Sequence, residues 1–147
     1  MGNIEHALAL QGHAAAARRT RAARALERFN LAALADRPAR LLSGGEQQRL
    51  AMARAWALAP EILFLDEPSS QLDPASTRMI EEMIAGFSAD GMTVVMTTHD
   101  LGQARRLAED VAFLHRGRLV EASDAAQFFA HPASAEARSF LAGELIL

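Results

Sequence analysis

The sequence has 147 residues, of which half are hydrophobic and 22% are charged, and its formal net charge is −3. A chain of this length can bury one hydrophobic core, and its slightly acidic balance gives no general footprint for nucleic-acid binding. It contains neither cysteine nor lysine, which excludes disulfides, thiolate metal sites and any site within these residues that requires an ammonium group. No apolar run reaches the length of a membrane span, and the N-terminus lacks the pattern of a signal peptide.

The first forty residues predict helices only. The stretch from residue 3 to about 29 is rich in strong helix formers. Its arginines predict a solvated helix face, with an anion-binding face as the alternative. The segment "LAALADRPAR" then predicts a short helical turn that ends near Pro38. Since no strand pattern occurs here, we expect a separate helical lobe.

The segment "LLSGGEQQRLAMARAWALAP" predicts a helix of roughly four turns that begins after Ser43 and stops at Pro60. Ser43 and Glu46 have the spacing of a capping box, which explains both residues without any ligand. The box does not require Gly44 or Gly45. Two glycines at a helix start let a foreign group approach the backbone, and they leave N–H donors at the positive end of the helix dipole. This arrangement is suited to phosphate.

Two short apolar runs predict the strands of an α/β sheet. Residues 62–65 form an apolar run that ends at "DEP", and "MTVVMTTH" forms the second run. Both predict strands that are buried on two faces, as in a parallel sheet. Between them, Asp73 and Pro74 predict a helix start, and the apolar residues that follow predict one buried helix face. This alternation is typical of an α/β fold.

The last fifty residues or so predict smaller elements. A short helix follows Asp100 as its N-cap, and two strands join in a hairpin at Arg116 and Gly117. Ser123 is predicted to cap a further helix, and another short helix closes the chain. No internal repeat or low-complexity linker separates these elements from the rest.

Three residues at the ends of the predicted strands could carry chemistry. Asp66 and Glu67 stand at the carboxyl end of a strand, where α/β sheets bind ligands. Asp66 could hold Mg²⁺ through water, Glu67 could act as a general base on an attacking water, and His99 could orient a γ-phosphate. Taken singly, the acids are better explained as solvated loop residues, and His99 as a satisfied loop histidine.

In combination these segments resemble a known family. "LSGGEQQR", "ILFLDEP", "SSQLD" and "TTHD", in this order and spacing, resemble the signature motif, Walker B, D-loop and H-loop of the ATP-binding subunit of ABC transporters. The resemblance implies that Asp66 is the Walker B aspartate, which holds Mg²⁺ through water, that Glu67 is the catalytic glutamate and that His99 is the catalytic switch histidine. The implied signature residues, which bind ATP in trans, are Ser43, Gly44, Gly45 and Glu46, and the implied D-loop residues are Ser70, Gln71, Leu72 and Asp73.

The same resemblance implies a partial P-loop NTPase fold of the α/β class, with ATP and Mg²⁺ as cofactors. A helical subdomain that carries the signature motif is expected at residues 1–58. The C-terminal part of the α/β ATPase core is expected at residues 59–147, as a mostly parallel sheet flanked by helices with a C-terminal hairpin and helices. The chain departs from the family at Glu46, where Gln is common, and at Gln71, where a small residue is usual.

A Walker A loop, G-x-x-x-x-G-K-[ST], does not occur within these lysine-free residues. We therefore expect the C-terminal part of an ABC ATPase, as a truncated gene product or a fragment, which does not hydrolyse ATP alone. Its signature motif would act on a γ-phosphate held by the Walker A loop of another subunit. Family members place the strand that leads to Walker A beside strand 61–66, so we expect an open apolar edge there, and self-association or pairing with another chain.

The leading function implied by the resemblance is the ATP-hydrolysing subunit of an ABC transporter. The tail "AAQFFAHPASAEARSFLAGELIL" is similar to those of phosphate and tungstate importers, which favours a bacterial importer of an oxyanion. The implied partners are membrane permease subunits and a second ATPase subunit in a head-to-tail dimer, on the cytoplasmic face of the plasma membrane, with no nucleic acid and no direct contact with cargo. The alternatives are a soluble ABC-type ATPase that acts on DNA or ribosomes, and a non-catalytic fragment that offers its signature motif in trans.

Overall fold

The computed structural model of the chain describes residues 1–144, so the last residues of the importer-like tail, 145–147, lie outside the described part. The chain forms two compact units, the first from Met1 to Thr97 and the second from Thr98 onward. The first unit contains α1 (Gly2–Leu10), α2 (Ala15–Arg28), α3 (Gly44–Leu58), β1 (Ile62–Asp66), α4 (Pro74–Ala89) and β2 (Thr93–Thr97). The second contains α5 (Leu101–Leu107), β3 (Asp110–His115), β4 (Arg118–Asp124), α6 (Ala125–Ala130) and α7 (Ala135–Leu141). The division predicted between residues 58 and 59 falls inside the first unit, at the end of α3.

Two helices, rather than one helical stretch, occupy the N-terminal segment. The chain leaves α1 through Gly12, which has a φ of +80°, a conformation that favours glycine. The amide of His13 donates to the carbonyl of Leu8 at 3.2 Å and closes the helix end. The prediction of a helix from residue 3 to about 29 is therefore wrong at this break, because a single left-handed glycine interrupts otherwise helical residues.

Helices α1, α2 and α3 pack together around one apolar core. The side chains buried between them include Ile4, Leu8, Ala22, Ala25, Met52 and Ala53. Short 3₁₀ turns at Ala32–Leu34 and Ala39–Leu41 connect α2 to α3. The predicted helical turn is thus present, but it ends at Leu34, and Pro38 precedes a second turn. This helical cluster holds α3 and so fixes where its N-terminus lies.

Strands β1 and β2 form a two-stranded parallel sheet. Phe64 lies opposite Val95, and Asp66 lies opposite Thr97. Parallel pairing brings the carboxyl ends of both strands to the same edge of the sheet. Helix α4 connects the strands and contacts β2. The side chains that α4 buries are Ile80, Ile84 and Phe87, on the face predicted from the sequence.

One face of this sheet is exposed. Phe64 is 74% exposed, Ile62 51% and Val95 45%; we call these three residues the exposed sheet face. Leu63, on the opposite face, is buried. The prediction that both strands are buried on two faces is therefore wrong for the described residues, because an apolar run favours a strand without specifying what covers it. Within residues 1–144, β1 pairs with β2 alone, so the open edge predicted at residues 61–66 is confirmed for this part of the chain.

The second unit is built on the β3–β4 hairpin. Arg116 and Gly117 have φ values of 49° and 74°, as a tight hairpin turn requires, and the predicted turn is confirmed. The core of the unit consists of Phe113, Phe128 and Ala137, with Phe140 packed against it. Helices α6 and α7 thus cover one side of the hairpin.

The start of α6 differs from the prediction by one residue. Asp124, not Ser123, is the N-cap, and its Oδ1 accepts from the amide of Gln127 at 2.8 Å. Ser123 still belongs to β4, where it pairs with Val111. Both side chains are good helix caps, so the extent of β4 decides which one serves.

A buried carboxylate in β4 fixes the start of α7. Glu121 is 9% exposed. Its Oε1 accepts from the amide of Ala133 at 2.9 Å, and its Oε2 accepts from the amide and the hydroxyl of Ser134, each at 2.8 Å. The amides of Ala133 and Ser134, and then the Ser134 hydroxyl, lower the pKa of Glu121. This carboxylate therefore joins β4 to the loop before α7.

The described chain has an α/β architecture in the predicted order. A helical segment precedes the parallel β1–β2 pair with its connecting α4, and a hairpin with short helices follows. The two sheets are separate two-stranded pieces within the described residues. None of the helices in residues 1–144 combines the length and the hydropathy that a membrane-spanning helix needs.

Candidate functional site

The N-terminus of α3 is closed by a capping box, as predicted. The amide of Ser43 donates to Glu46 Oε2 at 2.7 Å, and the amide of Glu46 donates to Ser43 Oγ at 3.4 Å. The backbone amide of Ser43, followed by its side chain, lowers the pKa of Glu46. Glu46 is therefore ionised at neutral pH, and the local sequence alone accounts for the position of both side chains.

The capping box leaves three donors unused. Within residues 1–144, the amides of Gly44 and Gly45 have no hydrogen-bond acceptor, and the Ser43 hydroxyl accepts a bond but donates none. These groups stand in the first turn of a helix of 15 residues, where the helix dipole is positive. Three donors in one helical turn form an arrangement that is suited to the oxygens of a phosphate.

The two glycines of this turn have different surroundings. A side-chain carbon placed on Gly44 would meet nothing within 4 Å, whereas the same carbon on Gly45 would lie 3.3 Å from Ser76 Oγ. Gly44 is exposed and Gly45 is half-buried. One glycine therefore faces open space, and the other faces the start of α4.

Asp66 and Glu67 follow one another at the carboxyl end of β1. The hydroxyl of Thr97, the last residue of β2, donates to Asp66 Oδ1 at 2.5 Å. The amide of Glu67 is shared between the hydroxyl and the carbonyl oxygens of Thr97, each at 3.1 Å. Glu67 has a φ of 41°, which is uncommon outside glycine. Thr97 thus ties the turn after β1 to the end of β2.

The residues at this edge fit a magnesium ion that is held mainly by water and phosphate. Asp66 is exposed, and one of its oxygens accepts the Thr97 bond. The part of the chain that the structure describes contains no group of three or more candidate ligand side chains, so it does not form an all-protein cage. Mg²⁺ commonly uses one or two carboxylates together with waters and substrate phosphates, and Asp66 suits that mode of binding.

The segment after Glu67 winds through successive turns toward α4. The amide of Ser70 donates to the Glu67 carbonyl, and the amide of Leu72 donates to the Ser69 carbonyl, each at 3.2 Å. Ser70 and Gln71 are exposed, and Leu72 is half-buried. The predicted D-loop residues therefore form a surface turn between the acidic pair and α4.

Asp73 ends this turn as the N-cap of α4. Its Oδ1 accepts from the amides of Ala75 and Ser76 at 3.0 and 3.1 Å, and its Oδ2 accepts from the Ser76 hydroxyl at 2.6 Å. The Ser76 side-chain bond makes the largest contribution to lowering the pKa of Asp73. Asp73 and Ser76 are thereby joined by two hydrogen bonds.

His99 belongs to the second unit and is exposed. It directly precedes Asp100, whose Oδ1 accepts from the amide of Gln103 at 2.9 Å and caps α5, as predicted. All the other predicted site residues lie in the first unit. Within that unit the structure brings Gly45 to the start of α4 and brings the acidic pair to the end of β2.

Two residues of this site were not identified from the sequence. Thr97 contacts Asp66 and Glu67 because β1 and β2 are parallel neighbours, and its position at the end of the second apolar run was a usable signal. Ser76 lies near Gly45, because a side-chain carbon added to Gly45 would come within 3.3 Å of its hydroxyl oxygen, although the two residues are far apart in sequence. No local sequence pattern predicts this proximity.

Comparison with known proteins identifies clear relatives. Residues 3–70 match the profile of the family described as ABC transporter. The phosphate import ATP-binding protein PstB 2 of Natronomonas pharaonis is 45% identical over 122 residues, which cover 83% of this chain and 43% of that protein. The methionine import ATP-binding protein MetN of Caulobacter vibrioides is 42% identical over 140 residues, which cover 95% of this chain and 42% of that protein.

A solved structure supports the same relationship at the level of the fold. A metal-chelate type ABC transporter in an inward-facing conformation matches with a TM-score of 0.75 and 29% identity, over 86% of this chain and 49% of that chain. The chain spans about two fifths of the length of the two curated relatives. Those relatives share the description of import ATP-binding proteins and differ in the cargo that they are named for.

Proposed function

This chain belongs to the ABC transporter family of ATP-binding proteins, and from that premise we propose that Ser43, Gly44 and Gly45, with Glu46 beside them, bind the γ-phosphate of an ATP molecule held by another polypeptide. The observation that carries the proposal is the set of three unused donors, the Ser43 hydroxyl and the amides of Gly44 and Gly45. The helix holds these donors in place before a ligand arrives, so binding requires little reorganisation. The 147 residues contain no lysine, so the ammonium of a Walker A loop would be supplied from outside them.

The acidic pair has the second role in this proposal. Bound Mg²⁺ would neutralise phosphate charge, and Asp66 would hold it through water. Glu67 would accept a proton from the attacking water, while Thr97 keeps the turn that carries it against β2. By resemblance, residues 70–73 would contact the second subunit, and His99, in the second unit, would be the switch histidine.

For the whole protein, we propose an ATP-hydrolysing subunit of a bacterial importer. The similarity to PstB 2 and MetN, both named as import ATP-binding proteins, supports this role. PstB 2 and the similarity of the tail favour an oxyanion such as phosphate or tungstate as cargo, and permease subunits would determine that choice. The proposed location is the cytoplasmic face of the membrane, with permease subunits and a second, head-to-tail ATPase subunit as partners.

Selective labelling tests the phosphate site in this chain alone. The chain has nine glycines, so ¹⁵N-glycine labelling gives a sparse spectrum in which the amides of Gly44 and Gly45 can be followed directly. We expect MgATP to shift these two signals, whereas the loop residues Gly91 and Gly117 serve as internal controls that do not shift. Adenosine, which lacks phosphate, is expected to leave the whole spectrum unchanged.

The Ser43→Ala variant sharpens this experiment. It removes one of the three donors, and we expect its affinity for MgATP to fall about fivefold, the loss typical of one hydrogen bond. Two results would contradict the proposal: no shift of Gly44 and Gly45 at millimolar MgATP, or equal shifts with adenosine.

A further inference from the structure

We propose that Ser76 is a positioning residue, which packs against Gly45 and holds the amides at the start of α3 in a fixed relation to the D-loop that ends at Asp73. This inference rests on the proposed function, because the position of those amides matters only if they bind phosphate. It assigns different roles to the two glycines. Gly44 leaves the backbone open to a ligand, and Gly45 permits close contact between α3 and α4.

The contact is specific to one of the two glycines. A carbon added to Gly45 would lie 3.3 Å from Ser76 Oγ and 3.8 Å from Ser76 Cβ. The first of these distances is tighter than ordinary van der Waals contact, and the second is not. A carbon added to Gly44 has nothing within 4 Å. The oxygen of Ser76 is therefore the one group on α4 that limits the size of residue 45.

Ser76 is held in place on its other side. Its amide donates to Asp73 Oδ1 at 3.1 Å, and its hydroxyl donates to Asp73 Oδ2 at 2.6 Å. Rotating the hydroxyl away from Gly45 would break its bond to the N-cap of α4. We therefore expect a methyl group added at position 45 to displace the α3 backbone by a few tenths of an ångström rather than to move Ser76.

This arrangement links the predicted signature motif to the end of the predicted D-loop. The amide of Gly45 is one of the three donors for phosphate, and Ser76 lies directly against the same residue. Ser76 also bonds to Asp73, the last residue of the predicted D-loop. We therefore expect a displacement of the D-loop end to reach the signature amides through the Ser76 side chain.

A simpler explanation is that Gly45 is small only because a ligand must approach it. In that case Ser76 has no influence on whether position 45 tolerates alanine. The two explanations predict different results when both positions are changed together, so a double-mutant cycle separates them.

The first readout is thermal unfolding, which needs no nucleotide. Gly44→Ala and Gly45→Ala are a matched pair, because both place alanine in the first turn of the same helix. We expect Gly44→Ala to leave Tm unchanged or raised, and Gly45→Ala to lower Tm by roughly 3 °C or more. Adding Ser76→Ala to Gly45→Ala is expected to recover most of that loss. If Gly45→Ala does not fold, recovery of folded protein in the double variant is the same rescue.

The second readout is MgATP affinity from the glycine signals, followed at Gly44 in all variants. We expect Ser76→Ala to weaken binding about threefold in the wild-type background, because the start of α3 loses its support. In the Gly45→Ala background the same change is expected to strengthen binding, because it relieves the contact. This reversal of sign is not expected of a residue that only stabilises the fold.

Additive effects, with no rescue in Tm and no reversal in affinity, would overturn the assignment of Ser76. This outcome is distinct from failure of the proposed function. If the wild-type chain shows no response to MgATP, the phosphate site is refuted, while the thermal cycle still decides whether Ser76 limits the size of residue 45.

Discussion

The start of α3 and the β1–β2 sheet differ in how many of their interactions the described residues supply. At the start of α3, the capping box satisfies Ser43 and Glu46 within four residues of sequence, and Gly45 lies so near α4 that an added side-chain carbon would be 3.3 Å from Ser76 Oγ. At the sheet, Phe64 on the exposed sheet face has 74% of its surface accessible to solvent. The first region is stabilised by its own residues, whereas the second has apolar surface that no described residue covers.

The two regions depend on different parts of the chain: the helix start on residues near in sequence, and the sheet on residues elsewhere in the fold. A helix start needs only a few neighbours in sequence, so it keeps its geometry wherever the helix forms. A strand of a parallel sheet needs partners from elsewhere in the fold, because both faces and both edges must be covered. We therefore expect the signature segment to retain its local chemistry in this chain, and the sheet to dominate its association behaviour.

The largest expected effect contrasts two phenylalanines. Phe87 is fully buried and its ring lies 5.8 Å from that of Phe29, so Phe87→Ala is expected to cost about 3–5 kcal/mol. Phe64→Ala, on the exposed sheet face, is expected to change the free energy of unfolding by less than about 0.5 kcal/mol. Urea unfolding of both variants measures this. A comparable loss at Phe64 would show that the sheet face is covered after all.

The next effect concerns association. We expect the wild-type chain to self-associate through β1, and Phe64→Lys to shift it toward monomer, because a charge on an edge strand opposes pairing. Leu10→Lys is the control, since Leu10 is 79% exposed but lies at the end of α1. Sedimentation velocity at several concentrations compares the three proteins. A wild-type chain that stays monomeric at high concentration would contradict the expectation that the sheet controls association.

A third prediction extends the comparison to the second unit. The pKa of Glu121 is lowered in the folded state, so its bonds contribute full stability above the ordinary glutamate pKa and lose it as pH falls through the lowered value. Tm should therefore fall as pH decreases below about 4.5. Glu121→Gln, which has one acceptor oxygen instead of two, is expected to lower Tm at pH 7 and to flatten this dependence. An unchanged slope would show that other carboxylates are responsible.

The smallest effect sharpens the description of the α3 start. Glu46 carries its charge beside the three unused donors, and Glu46→Gln removes that charge while keeping an oxygen that can accept from Ser43. We expect MgATP affinity to rise about two- to fivefold, because repulsion of the phosphate is relieved. The shift of the Gly44 amide signal with MgATP concentration measures the change. Unchanged or weaker binding would mean that Glu46 does not face the ligand.

Features that depend on neighbouring residues in sequence could be predicted. The spacing of Ser43 and Glu46 predicted the capping box, and the Arg116–Gly117 pair predicted the hairpin turn. In both cases the interacting groups lie within a few residues of each other in the sequence, so a local sequence pattern includes both partners. The break at Gly12 was missed because isolated glycine only weakens a helix pattern and does not by itself end it.

Features that depend on distant residues could not be predicted in the same way. The apolar run at residues 62–65 predicted the strand β1 but not the exposure of Phe64, which is decided by what lies over the sheet. Thr97 and Ser76 reach the site through strand pairing and helix contact. The family resemblance assigned roles to motif residues, and it did not identify the residues that position them.

The most direct test of the central claim is association in trans. A trace amount of fluorescently labelled chain is titrated with full-length MetN of Caulobacter vibrioides, which is 42% identical over 140 residues, with and without Mg²⁺ and a non-hydrolysable ATP analogue. We predict that the nucleotide strengthens association about tenfold or more, and that Ser43→Ala reduces this gain. Equal affinity with and without nucleotide would contradict the claim that this chain supplies the signature part of an ATP site.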